Sequence, residues 1–177
     1  MSMQIIRSIT EKDFGRIEHP GDWATYTDRV GARAVLINDE GQIALMHVTN
    51  RGYYKLPGGG MDEGETIEET LRRELKEEMG ADSIVILSEI GRIDEYREIW
   101  SKKSIHQCFL VRLSGSIGVS EQTEKELEHG YKTVWAKDID EAIELVDSGK
   151  PQEYGQDFER LRELTFLRFV RDNSLLN

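Results

Sequence analysis

The apolar residues of this chain follow two rhythms that alternate along its length. Ile67, Leu71, Leu75 and Met79 recur at every fourth position and draw one stripe along a helix. Thr66 stands three residues before Glu69, the spacing of a capping box that starts such a helix, and Gly80 is placed to end it in a left-handed conformation. Two further helices follow from the same spacing. Ile139, Ala142, Ile143 and Val146 predict one over 138–148, opened by Asp138 with Glu141 and closed by Gly149 and Pro151. Phe158, Leu161, Leu164, Leu167 and Val170 predict another over 157–172, and these two helices cover a sheet.

The strands of that sheet are short runs rich in β-branched and small apolar residues. Arg29 to Ile37 and Ile43 to Val48 flank the turn residues Asn38, Asp39, Glu40 and Gly41, which predicts a hairpin. Tyr53 to Leu56 is a short strand stopped by Pro57, which has no amide hydrogen to donate to a ladder. Ser83 to Leu87, Glu89 to Glu98, Ser104 to Leu113 and Tyr131 to Ala136 are extended, and Gln4 to Ile9 is a short edge strand. Glu18 to Asp22 is a turn, with His19, Trp23 and Tyr26 read as packing residues. No repeat, low-complexity linker or second domain interrupts the pattern, so residues 1–177 are expected to form one domain with an extension over 1–28.

Beside the stripe of the first helix the chain gathers like charges. Glu74, Glu77 and Glu78 stand at i, i+3 and i+4, where carboxylates share one patch of helix surface and repel by a few tenths of a kcal/mol per pair, roughly. The patch lies near the negative end of the helix dipole, so a cation relieves both costs. Hard oxygen donors suit Mg²⁺ or Mn²⁺, and magnesium completes its shell with water and substrate phosphates. Gly58, Gly59 and Gly60 just upstream let backbone approach a ligand closely. The stretch therefore reads as a metal-bound diphosphate site, set against the blander reading of a glutamate-rich solvated face.

Arg33 falls inside a strand, where a charge is costly unless it is paired or faces a ligand cavity. Arg33, Tyr96 and Arg97 are the candidate substrate-binding residues, the last two from a segment that reads either as a holder of base and phosphate or as a charged hairpin tip. The formal net charge of -11 argues against binding long nucleic acid, since a surface that tracks phosphates needs Lys and Arg. A short nucleotide is a separate matter, because a divalent ion supplies positive charge locally. No basic start with an apolar run and no membrane-spanning stretch is evident, so a cytoplasmic protein is expected. Cys108, the one cysteine, allows no internal disulfide and reads as a core thiol on a strand.

The spacing Gly59, Glu65, Arg73, Glu74, Glu77, Glu78, Gly80 resembles the signature of the Nudix hydrolase family at every position except the last, where the family prefers a bulkier aliphatic than Ala81. The resemblance implies an α/β sandwich with a mixed sheet between helices, and Mg-dependent hydrolysis of a phosphoanhydride bond in a nucleoside triphosphate or a nucleoside diphosphate joined to another group. It implies Glu74, Glu77 and Glu78 as metal and catalytic residues, with the carbonyl of Gly59 as a further ligand. It makes Arg73 a structural partner of Glu65, with Gly80 ending the helix. The family commonly recruits one more glutamate a few residues before a tryptophan such as Trp135, and among Glu121, Glu124, Glu126 and Glu128 the expectation is Glu128, with Glu126 in reserve. Tyr96 stands near a position where tyrosine accompanies dinucleoside polyphosphate cleavage in the family. Homodimers are frequent among its members. Two other readings within the resemblance are a catalytically silent ligand-binding domain and an isopentenyl diphosphate isomerase, which wants a cysteine in an active-site loop.

Overall fold

A computed structural model of the chain describes residues 3–16 and 22–176. Seven strands form one mixed sheet: β1 Ile5–Ile9, β2 Thr27–Ile37, β3 Ile43–Val48, β4 Tyr53–Lys55, β5 Ile84–Arg97, β6 Lys102–Leu113 and β7 Tyr131–Ala136. The helices are α1 Ile67–Met79, the short α2 Glu124–His129, α3 Ile139–Ser148 and α4 Gln156–Asp172. The strand order is β1-β5-β6-β2-β3-β4, with β7 on the other edge of β3. This is the α/β arrangement of mixed sheet and covering helices expected from the sequence. The expectation for His19 and most of the turn around it falls outside the described residues.

Strand alternation divides the core into two layers. Ala32, Ala34 and Leu36 of β2 pack with Leu71, Leu75 and Met79 of α1 on one face, while Val35 joins Phe158, Phe166 and Leu167 of α4 on the other. Each large side chain so buried stabilises the fold by about 1.5–3 kcal/mol. Thr66 caps α1 in a closed capping box with Glu69, and Gly80 takes φ 71° at its end. Ala81 is buried in the α1 layer, so the small residue at the signature's last position is a packing feature away from the carboxylates.

Three details differ from the sequence reading. The predicted hairpin is held by one pair only, Ile37 with Ile43; β2 runs instead parallel to β6 from Thr27 to Ile37, while β3 turns away to β7 and β4. The two extended segments before Glu98 are one long strand, β5, whose register shifts at two places absorb the interruption near Ser88. The acidic loop contains a helical turn, α2, because Thr123 and Glu126 close a capping box of their own.

The parting of β2 and β3 leaves the β2 edge free where the glycine loop passes. Ala32 N–H donates to Gly59 O at 3.0 Å, Ala34 N–H to Pro57 O at 3.1 Å and Met61 N–H to Val30 O at 2.9 Å. A Cβ on Gly58 would overlap Ala32 O, and one on Gly31 would lie 2.6 Å from Gly59 O, so the fit requires glycine on both sides.

On the α4 face the sheet buries charge as well as hydrocarbon. Arg162, 1% exposed, donates to Glu95 on β5 at 2.9 Å and to its neighbour Glu163 at 2.6 Å, and both carboxylates are fully buried. Burial works to raise the Glu95 carboxyl, but Arg162 and Arg97 more than offset it and hold it well below the usual carboxylate range. Replacing Arg162 with Met is expected to destabilise the protein by about 3–5 kcal/mol in urea unfolding, because two buried acids lose their shared cation. The Glu95 contribution is fully present above its unfolded value of about 4.3 and is lost as pH falls below it. Urea titrations across that window are expected to show a steeper acid loss in the parent than in Glu95→Gln.

Candidate active site

The box helix presents its acids on different sides. An i+4 step turns about 40° around a helix and an i+3 step about 60° the other way, so Glu74 and Glu78 share a face while Glu77 swings to its flank. There Glu77 accepts from Arg73 Nη1 at 3.2 Å. Arg73 is the hub of the box: it donates to Glu65 at 2.6 and 2.9 Å, to Gly60 O at 3.0 Å and to Glu74 at 2.9 Å. Its hydrogen bond, with one from Asp62 N–H, holds the Glu65 carboxyl down to about 2.

Glu78 is buried and fully engaged. Its Oε1 accepts from Lys55 Nζ at 2.8 Å and its Oε2 from Gly58 N–H at 2.7 Å. Burial opposes the Lys55 charge, yet the Glu78 carboxylate raises its pKa above the usual lysine range. Glu74 packs against Gly59, where a Cβ would overlap its carboxylate. Burial and the neighbouring Glu78 push the Glu74 carboxyl upward, the mark of a site short of positive charge.

The third acid of this cluster comes from α2, and it is Glu126. Oxygens of Glu74, Glu78 and Glu126 lie within 4.8 Å of one another, whereas Glu128, the residue expected from the sequence, is exposed and outside the group. The capping box explains the exchange: Glu126 at its third position turns back onto Thr123, while Glu128 lies two residues on, where its carbonyl receives Asn50. The Gly59 carbonyl, a predicted ligand, already accepts from Ala32 N–H and faces β2, with one lone pair left.

These acids form one wall of a cleft of about 470 Å³. Its other walls carry Arg33 and Arg97, both buried. Arg97 is bound by Glu95 at 2.7 Å and lies over the rings of Trp100 and Phe158. Arg33 donates to Ala32 O at 3.0 Å, while its Nε, 3.7 Å from Glu163, has no hydrogen-bond partner. Tyr96 does not line the cleft. It follows Glu95 and precedes Arg97 on β5, so alternation turns it to the opposite face, where it stacks on Trp23 at 4.3 Å. Cys108 is buried in the α4 layer with burial pushing its thiol up, so it offers no active-site cysteine for the isomerase reading.

Sequence reasoning overlooked Lys55, Arg29 and His106, which line the cleft together with Lys102 from the segment read as a possible holder of base and phosphate. The signal available in β6 was weak: Lys102, Ser104 and His106 alternate on one face, but Lys103 and Gln107 between and beside them are polar too.

Comparison with known proteins agrees with this architecture. A NUDIX domain family model matches residues 27–151. An RNA pyrophosphohydrolase of a Nitratiruptor species is 34% identical over 94 residues, covering 49% of this chain and 61% of the relative's length. A mouse 8-oxo-dGDP phosphatase, NUDT18, is 33% identical over 89 residues, 48% of this chain and 25% of the relative. Among solved structures, a MutT protein from Methanosarcina mazei Go1 superposes with TM-score 0.57 at 21% identity, covering 84% of this chain and 97% of that one. The C. elegans Ap4A hydrolase gives 0.56 at 17%, over 84% of this chain and 99% of that one. The likeness to the solved structures is one of fold, and among the described residues no helix is long and apolar enough to cross a membrane. The family match covers well over half of the chain and includes the whole glycine loop and box helix, and the chain belongs to the Nudix family.

Proposed function

We propose that the protein hydrolyses a phosphoanhydride bond in a nucleotide, using a divalent cation held by Glu74, Glu78 and Glu126. The observation that carries this reading is the convergence of those three carboxylates at one wall of a cleft that Arg33, Arg97 and Arg162 also line. The donors fit a hard cation such as Mg²⁺ or Mn²⁺: all are carboxylate oxygens, and the raised Glu74 carboxyl marks charge that its protein neighbours leave uncompensated. Two relatives named for pyrophosphohydrolase and phosphatase activity support the same chemistry.

When bound, the ion supplies polarisation of a phosphoryl oxygen and a lowered pKa for an attacking water. The chain's own residues position the rest. Lys55 and Gly58 N–H fix both oxygens of Glu78, and Arg73 fixes Glu74 and ties the box loop to Glu65, so the acids need no rearrangement on binding. Arg33 and Arg97 hold phosphate oxygens on the opposite side, Arg33 through the Nε that no protein group satisfies. Glu77 acts through Arg73, and Tyr96 packs on Trp23 outside the cleft. The intact set of acids favours an active enzyme over a silent binding domain.

Glu126→Gln is expected to lower kcat on a hydrolysable nucleotide by at least about a hundredfold, the range of a lost catalytic charge. Glu128→Gln is expected to remain within a few-fold of the parent; phosphate or diphosphate release measured for both variants decides which acid belongs to the site. Addition of Mg²⁺ at ten times its dissociation constant is expected to stabilise the parent by roughly 1.4 kcal/mol. Calorimetric melting is expected to show that gain abolished in Glu126→Gln.

A further inference from the structure

Beyond the carboxylates the cleft contains polar groups that no protein partner satisfies. Arg29 and Lys102 stand on adjacent parallel strands, where Thr27 faces Lys102 and Arg29 faces Ser104. Both side chains line the cleft, and among the described residues neither has an ion-pair partner. The other acids that line the cleft have partners of their own, Glu153 with Arg51 at 2.6 Å and Glu159 with the Tyr53 hydroxyl at 3.3 Å. Behind them Glu95 is taken by Arg97 and Arg162. Burial, together with the charges of Arg29 and Arg97, lowers the pKa of the Lys102 ammonium.

His106 adds a donor beside them. Its Nε2 lies 3.1 Å from Arg162 Nη1 and 3.5 Å from Glu95 Oε2; a guanidinium can only donate, and at the shorter contact Nε2 accepts, which puts the ring proton on Nδ1. Nδ1 is buried without a partner, and a Cβ placed on Gly31 at the cleft would lie 3.6 Å from it. Burial and Arg162 lower the ring's pKa to about 3, so it stays neutral at neutral pH.

The Arg29 guanidinium also fixes where this group of donors lies relative to the acids. It packs on Gly60, with Nη2 overlapping the point a Cβ would take there, and Gly60 directly follows Gly59, which backs Glu74. Along β2, Arg29 and Gly31 are two residues apart, about 6.6 Å of extended strand. Donors without acceptors thus begin one short step from the carboxylates, and acceptors rich in negative charge are what such donors bind most strongly.

We infer that Arg29, Lys102 and the Nδ1–H of His106 form a second anion subsite, which takes a phosphate group beyond the scissile linkage and so selects substrates ending in phosphate over diphosphates joined to a neutral group. The inference rests on the hydrolase reading of the same cleft. Its binding part is testable without catalysis.

The probes are inorganic triphosphate and inorganic diphosphate, titrated calorimetrically into the metal-free protein. The parent is expected to bind triphosphate at least about tenfold more tightly, the effect of one further charge-assisted hydrogen bond. In the double variant Arg29→Ala, Lys102→Ala that preference is expected to vanish. Both positions are ion-pair-free and Arg29 is exposed, so an unchanged circular dichroism spectrum is expected to accompany the loss. Equal affinities in the parent, or a preference that survives the double variant, overturn the subsite. Nitrogen-15 spectra of the imidazole are expected to show Nδ1 protonated and its resonance moving on addition of triphosphate; a proton on Nε2 removes His106 from it.

Kinetics then separate the two readings. The ratio of kcat/KM for a nucleoside triphosphate over a nucleoside diphosphate sugar is expected to fall at least about tenfold in the double variant. An equal fall for both substrates means general attraction and overturns the subsite. Triphosphate preference in a parent that hydrolyses neither compound overturns the hydrolase reading and leaves the subsite standing.

Discussion

Between Val30 and Ala34 the backbone of β2 gives its edge to the glycine loop in place of another strand, and three hydrogen bonds at 2.9–3.1 Å hold the two together. Side chains at Gly31 or Gly58 would push backbone against backbone, and one at Gly59 would displace the Glu74 carboxylate. The loop so placed turns Gly58 N–H onto Glu78 and the Gly60 carbonyl onto Arg73. A missing Cβ at each of these glycines therefore sets the distance between the first acids and the sheet. The early parting of β2 from β3, after the single pair Ile37 and Ile43, is what leaves the edge available.

The same cleft joins two kinds of electrostatic solution. On the α4 face the buried charges are matched, Arg97 and Arg162 with Glu95 and Glu163, and matched burial contributes order more than stability. At the box the balance is incomplete. Arg73 is spread over Glu65, Glu74 and Glu77, and Lys55 serves Glu78 alone, which leaves Glu74 with its carboxyl raised by burial and by Glu78. A protein interior tolerates such a deficit where a ligand makes it good.

Much of the frame was legible in the amino-acid order because local rules governed it. The Thr66 and Glu69 box, the stripe from Ile67 to Met79 and the left-handed Gly80 needed no distant partner to be read. The hairpin between β2 and β3 is shorter than expected because turn residues say that two strands meet and not how long they stay paired; β2 found a longer partner in β6. Glu128 was preferred over Glu126 because a loop offers no periodicity, and only the cap at Thr123 reveals which acid is turned inward. Tyr96 was placed at the cleft for want of a register: its neighbour Arg97 lines the cleft, and alternation turns Tyr96 to the other face, onto Trp23. The donors at Arg29, Lys102 and His106 belong to strands 70 residues apart in the chain, roughly, and their meeting is a tertiary fact that only sheet pairing supplies.

The helix α4, Gln156–Asp172, lies beyond the stretch matched by the family model, yet its Arg162 anchors Glu95 and lies 3.1 Å from His106 Nε2. The acids proposed to hold the cation thus stand within the stretch matched by the family model, whereas a helix outside that stretch orients the cleft's floor. Sequence drift in that helix is able to retune what the cleft accepts while leaving the proposed cation site untouched.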